Sequence, residues 1–383
     1  MYFGLFLIIL FTSLLSLRFR IHDIVPYLLV LILVSMMCFR YGQGSDYFGY
    51  YYNFLQEYSF SEVMSHRNAI HGEIGFRLFS SLFKKDHYQW FVATVSIYEA
   101  AMLWLFLKKH SSNKAFSLLL FFPTVFMIYY LSALRQGIVL ATFLGLGITL
   151  AENRQWGRYL ILCLLLSTIH TVALVWLLVP VFNKVHLNAL IILLPVSFIL
   201  GILASNSAFS SLLISIPYVG RNIAPYVNTG FSKTAIAEKT LTLAVVLILY
   251  YSSRRRLDQH PWWIKAYTGG HILFFLLAFN QLLSGRLIIC FKVLELLIIP
   301  ELISRRCLTR QISAVYCILL SLVMFSHNVN ACIDQGDYHD VGVFNYPYIS
   351  VFNKDKIRKY RAADSYELLI TQKAHREKNI VSD

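Results

Sequence analysis

Long apolar runs separated by short polar stretches fill most of this chain. The runs cover about residues 1–17, 24–39, 89–107, 116–134, 136–151, 159–182, 187–203, 240–252, 263–283, 287–303 and 312–327. A helix needs about 20 apolar residues to cross a bilayer, and these runs come near that length, several of them on the short side. The pattern predicts an all-α polytopic integral membrane protein with about 11 membrane segments. Longer polar stretches occur at 40–87, at 206–239 and from 331 onward. No internal repeat and no Gly/Ser-rich or Pro-rich linker divides the chain. Residues 1–350 therefore read as one membrane domain, and 351–383 as a basic polar tail.

Residues 159–182 fit two readings. As one helix they cross once; as two short halves broken near His170 they enter and leave on the same side. Charge decides through parity. The basic loops 108–114, 152–158, 253–261 and 304–310 belong in the cytoplasm by the positive-inside rule. Three full crossings between the second and third of these loops would leave Arg254, Arg255 and Arg256 outside. Two crossings return them inside, so one segment is expected to be re-entrant, and 159–182 is the one favoured. Irregular backbone at that depth is tolerated only where it is buried in protein or lines a cavity. The first run then has its N-terminal end outside. Arg18 and Arg20 follow it, the reverse of a cleavable signal peptide. The tail also falls outside. Its bases begin only at Lys354, while the part nearest the membrane holds Asp334, Asp337 and Asp340.

Composition agrees with a membrane class. Apolar residues make up 57% of the chain and charged residues 14%, where a soluble domain carries about 25% charged. The formal net charge of +14 does not imply nucleic acid, because the bases sit in short loops between spans. Anionic headgroups and membrane orientation account for them. The six cysteines are scattered in or beside apolar runs without metal-ligand spacing, so they read as small apolar side chains.

With this orientation the unusual polar residues gather on the outer face. Arg135, with Gln136 beside it, stands between two apolar runs. An arginine near a bilayer centre costs about 2.5–3.5 kcal/mol on insertion scales. It either snorkels to the headgroups from the end of a span or binds an anion at the rim of a cavity between helices. The first external loop opens with Arg40, then Gly42, Gly44, Asp46, Tyr47 and Tyr50, and later holds Glu73-Ile74-Gly75-Phe76. Ser284-Gly285-Arg286 falls in a tight turn between two runs, as Arg135 does. Arg40, Arg135 and Arg286 on one face suggest a polyanion, since planar guanidinium binds phosphate through two parallel hydrogen bonds. His170 stands at the expected break. Tyr346-Pro347-Tyr348 is either a rigid turn or an aromatic platform for sugar rings. Residues 206–239 fit helical fragments lying on the membrane or a lid over a site.

In their order these elements resemble the EpsG-like branch of the Wzy polysaccharide polymerases. The resemblance rests on Arg40-x-Gly-x-Gly-x-Asp46-Tyr47-x-x-Tyr50, Glu73-x-Gly-Phe76, Leu134-Arg135-Gln136, His170, Ser284-x-Arg286 and Tyr346-Pro-Tyr348. It implies a helical architecture related to the GT-C glycosyltransferases and a place in a bacterial inner membrane. It implies a reaction that joins repeat units made on undecaprenyl diphosphate, transferring the growing chain to the non-reducing end of the next unit. Undecaprenyl-diphosphate-linked oligosaccharide is then the substrate, with membrane lipids and a chain-length regulator protein as partners. Under that reading Arg40, Tyr47, Tyr50, Arg135, Gln136, Arg286, Tyr346 and Tyr348 bind substrate, and Asp46, Glu73 and His170 are the candidate bases, unranked. No cofactor is expected. No Asp-x-Asp or close acid pair occurs in the first loop, which disfavours a metal. The principal rival is a lipid-linked oligosaccharide flippase, which would spread polar residues at mid-depth through many spans.

The topology is testable by labelling single cysteines with an impermeant maleimide in a chain whose native cysteines are replaced. Positions 46 and 337 are expected to react from outside, and position 255 only after permeabilisation. Labelling of 255 in intact cells would overturn the parity argument.

Overall fold

The structure, a computed structural model, describes residues 1–19, 21–56, 59–65, 72–83, 87–204, 232–253, 261–304, 309–336 and 338–361. Those residues are helical or lie in turns and form no strand, in line with the all-α expectation. Two isolated antiparallel bridges, Arg40 with Ser350 and Tyr338 with Arg361, are the extended pairings among them. Among the described residues, five helices are long and apolar enough to cross a membrane: Tyr88–Lys109, Leu134–Glu152, Leu187–Ala204, Lys233–Ser252 and Thr309–Gln335. Shorter apolar helices cover Tyr2–Arg18, Ile24–Phe39, Lys114–Tyr130, Trp156–Ser167 and Thr171–Lys184. This is a multi-pass membrane protein.

The chain divides into two compact units, the first made of residues 1–149, 164–171 and 314–383, the second of 150–163 and 172–313. In the first unit the polar first loop is folded rather than open. It forms three short helices, Tyr47–Gln56, Phe60–Ser65 and Ile74–Ser80. Aromatic side chains of the first and third pack with Tyr88, Phe91, Leu134 and Ile138 in one buried cluster, which Ile349 and Ile357 complete. From the described part of the tail, Ile357 thus belongs to the core of this unit. Helix Leu134–Glu152 is 78% buried over its most apolar window, against 28% for Leu187–Ala204 of the second unit. The former is an interior helix; the latter presents Ile192 and Leu203 to lipid.

Several helix limits differ from the hydropathy reading. The run 263–283 ends as a helix at Leu276, and a new helix, Gln281–Lys292, starts where Asn280 Oδ1 accepts from the Leu283 N–H at 2.9 Å. Ser284-Gly285-Arg286 is therefore in the first turns of that helix and not in the turn before it. A side-chain N-cap sets a boundary that apolar periodicity cannot see. The run 287–303 breaks at Val293–Leu294, between Lys292 and Glu295. The helix expected from residue 240 begins at Lys233, capped by Ser232, and takes in Glu238 and Lys239. Hydropathy excluded those residues because it scores each charge alone, whereas Glu238 is paired with both Lys239 and Lys292.

Residues 159–182 are interrupted. Helix Trp156–Ser167 stops, residues 168–170 form a turn, and a 3-10 stretch, Thr171–Leu178, follows. The Tyr159 hydroxyl donates to the Trp176 carbonyl at 3.2 Å. In one straight helix these residues would stand about 25 Å apart. The chain folds back on itself here, and a single continuous crossing is ruled out. Arg254, Arg255, Arg256, Asp337 and most of 206–239 lie outside the described residues.

Candidate functional site

The site in the first unit begins with an unusual helix start. Gly72 has φ +141°, a conformation open to glycine, and leads Glu73 into an extended N-cap position before Ile74–Ser80. The first N–H groups of a helix have no partner within it. Here Gly75 N and Phe76 N donate to the Thr168 carbonyl at 2.8 and 3.3 Å, so the helix docks end-on against the break at 168–170. A Cβ at position 75 would lie 2.8 Å from that carbonyl oxygen, which only glycine avoids. The Glu-x-Gly spacing thus does one physical thing: it brings the Glu73 carboxylate to His170.

Glu73 then joins three segments. Its Oε2 accepts from Arg135 Nη1 at 2.6 Å, and its Oε1 accepts from His170 Nδ1 at 2.9 Å and from Thr171 N at 3.0 Å. The three side chains are 16–17% exposed. Burial alone would raise the Glu73 pKa. The hydrogen bond from His170, the Arg135 charge and the Thr171 N–H outweigh burial and hold the carboxyl well below the usual carboxylate range. An ionised carboxylate has no proton to give. Nδ1 of His170 therefore carries the hydrogen, and in the neutral ring Nε2 keeps its lone pair.

Arg135 occupies the first turn of helix Leu134–Thr142, after a break at residues 131–133. Its Nε donates to the Tyr50 hydroxyl at 3.4 Å, and its guanidinium carbon lies 5.8 Å from the Tyr50 ring centre. Arg135 is held between a carboxylate and a phenol. Asp46 stands one turn before Tyr50 with its side chain exposed, and its backbone N–H donates to Ser132 Oγ at 3.1 Å, in the break that precedes Arg135. Among the described residues, no group of three or more His, Cys, Asp or Glu side chains gathers as a metal site would require.

A model of the EpsG family matches residues 23–350. That stretch contains every element of the site just described. The chain belongs to the EpsG family. The family is one of polysaccharide biosynthesis, which makes this a polysaccharide-related membrane protein. No curated protein and no solved structure matches the chain.

Within this EpsG-family chain the other expected site residues are placed differently. Arg40 is 1% exposed and donates to the Met37 carbonyl and to Ser96 Oγ at 3.2 and 3.3 Å. It is a core residue rather than one at an open helix mouth. Glu99, buried on Tyr88–Lys109, lies close enough for the Arg40 charge to act on it. Tyr47 is buried in the aromatic cluster, and Gln136 is buried as well. Tyr346 is 2% exposed, its ring against Tyr2 and Tyr338, and the Tyr348 hydroxyl donates to the Met36 carbonyl. These two tyrosines fasten the chain to itself. Arg286 is exposed on its helix in the second unit.

Sequence reading passed over three features. Arg77, four residues after Glu73, is 1% exposed, and it and Arg135 both flank Gly72. Glu99 was visible as a lone carboxylate inside an apolar run. In the second unit Lys292 Nζ donates to Glu238 Oε1 at 2.9 Å, and the Tyr267 hydroxyl donates to Glu295 Oε1 at 2.8 Å. Two charges flanking the middle of the run 287–303 were the available signal.

Glu73→Gln removes the charge that Arg135 and His170 share and is expected to cost about 1.5–3 kcal/mol of stability at neutral pH. Folding lowers the Glu73 pKa, so the contribution is complete above the unfolded value of 4.5 and is lost as pH falls below it. Thermal unfolding in detergent checks this: the gap between wild type and Glu73→Gln narrows by about 1.4 kcal/mol per pH unit below that value. A gap that does not change with pH would show that the carboxylate's charge is not what holds the site.

Proposed function

We propose that this chain is a Wzy-type polymerase that joins undecaprenyl-diphosphate-linked oligosaccharide repeat units at the periplasmic face of a bacterial inner membrane. The observation that carries this reading is the convergence of Glu73, His170 and Arg135, from three distant segments, on one partly exposed site. The membership in a polysaccharide family supplies the substrate class. The helical architecture is read as related to the GT-C glycosyltransferases.

In the proposed reaction a hydroxyl at the non-reducing end of the incoming unit attacks the anomeric carbon of the growing chain. The carbon–oxygen bond to the lipid diphosphate breaks, and its electron pair leaves with the diphosphate. Among the three candidates His170 suits the base best, because Nε2 keeps a lone pair and Nδ1 is fixed by Glu73. Glu73 is the orienting group, since both its oxygens are occupied and it is held ionised. Arg135, charged and fixed, opposes the developing negative charge. Asp46, exposed near Ser132, is a candidate contact for the acceptor sugar. Arg286 is carried by the resemblance alone.

A flippase remains the second reading, and one observation favours it: Lys292 and Glu295, both buried, and Glu238, paired with Lys292, stand within apolar helices of the second unit. The lipid-linked glycans of a deletion strain separate the two. A single repeat unit capping its acceptor indicates a lost polymerase, and accumulation of unflipped units in the cytoplasm indicates a lost flippase.

For the purified protein, His170→Gln is expected to slow elongation about 10²- to 10⁴-fold with folding retained. Arg135→Lys should also fail, because a point charge does not reproduce the planar fork. Arg286→Ala tests the resemblance separately. Elongation is expected to persist in EDTA; loss restored by magnesium or manganese would point to a metal held by carboxylates. Normal polymer from His170→Gln would remove the histidine from the mechanism.

A further inference from the structure

The segment 338–361 makes contacts that reach back to the first loop. Arg361 is 8% exposed, and its guanidinium carbon lies 5.2 Å from the Phe48 ring centre and 5.5 Å from that of Tyr338. Its Nη1 donates to the Gly42 carbonyl at 2.9 Å and to the Gly44 carbonyl at 3.5 Å. Tyr338 adds a hydroxyl donor to the same Gly42 carbonyl at 3.3 Å. The segment is fixed in turn by the bridge between Tyr338 and Arg361 and by His339 N donating to the Tyr360 carbonyl at 2.7 Å.

The loop gripped in this way needs a grip. Gly42 and Gly44 have φ of +61° and +82°, and glycine visits other conformations at little cost. Its position matters directly to the site. A Cβ on Gly44 would stand 2.6 Å from Ser132 Cβ, so the loop lies flat on the break before Arg135. Two residues on, Asp46 N binds Ser132 Oγ, and one turn later Tyr50 meets Arg135. A buried arginine is costly to desolvate, and a contact that only anchored a tail would not require one.

We infer that Arg361 is a positioning residue: it locks the Gly42–Gly44 loop and thereby sets Asp46, Tyr50 and Arg135 for reaction. Arg361 lies beyond residue 350, where the family match ends, so the lock is supplied from outside the matched stretch. The inference rests on the proposed transfer reaction for its kinetic consequence, and on the contacts alone for its structural one.

Two measurements on the full chain in nanodiscs test it. Amide deuterium exchange in peptides spanning 41–50 is expected to be about fivefold faster in Arg361→Ala, with Tyr88–Lys109 unchanged. With lipid-diphosphate repeat units, kcat is expected to fall about 10- to 100-fold while KM for the donor stays within about twofold, because a small misplacement acts on the transition state. Tyr338→Phe, which removes one hydroxyl and keeps the ring, should move both readouts in the same direction by less, and serves if Arg361→Ala does not fold. Removal of 362–383 should change neither. Unchanged exchange at 41–50, or wild-type kcat with only a lower melting temperature, would reduce Arg361 to an anchor. If the wild type elongates nothing, the reaction reading fails, and the exchange measurement still decides the lock.

Discussion

One carboxylate organises the candidate site. Glu73 accepts hydrogen bonds from the start of one helix, from a histidine at a break in another segment and from the residue after it. Each donor comes from a part of the chain roughly 60 to 100 positions away. An unpaired carboxylate in this setting would be costly, so the three segments are held together or the site does not form. The helix that carries Glu73 is itself short and starts against a carbonyl of the broken segment. The backbone and the side chain therefore fix the same junction twice.

This arrangement changes what the arginines are for. Three guanidinium groups on one face suggest a cradle for a polyanion. In the fold Arg40 is a core residue among Met37, Ser96 and Glu99, Arg135 is shared between Glu73 and Tyr50, and Arg286 is on a helix of the other unit. A basic residue inside a membrane protein must first satisfy its own desolvation, so an arginine in a polar motif is first a structural partner. Arg135 is partly exposed and oriented by Glu73 and Tyr50. The same logic covers the largely buried charges Lys292, Glu238 and Glu295 in the second unit, where the Lys292–Glu238 pair lets helices form from sequence that hydropathy discounts.

Much of the class was legible in the chain. The apolar runs established helices and a membrane setting, because burying backbone in lipid leaves few other options. The order of Arg40, Asp46, Glu73, Arg135 and His170 led to the right family. Loop charge asked for one re-entrant segment and favoured 159–182, which the structure shows interrupted at residues 168–170. Helix ends were less legible. Asn280 as a cap, the start at Lys233 and the gap at Val293–Leu294 depend on single hydrogen bonds or on charge pairs, which a window average erases.

The contacts of the site residues were not legible at all. From sequence Asp46, Glu73 and His170 were equal candidates for a base, since spacing says which types are present and not which atoms meet. Only the tertiary structure brings the Glu73 carboxylate onto His170 Nδ1, because that hydrogen bond joins residues 97 positions apart. Likewise Tyr346, a candidate for a rigid turn or an aromatic platform in sequence, is buried against Tyr2 and Tyr338, and Arg361 of the basic tail is buried beside Phe48 and Tyr338. The sequence determined that the chain is a helical membrane protein of a known family, through local and averaged properties. The tertiary structure alone decided which polar groups are partnered, because pairing in a low-dielectric interior is a matter of position in space.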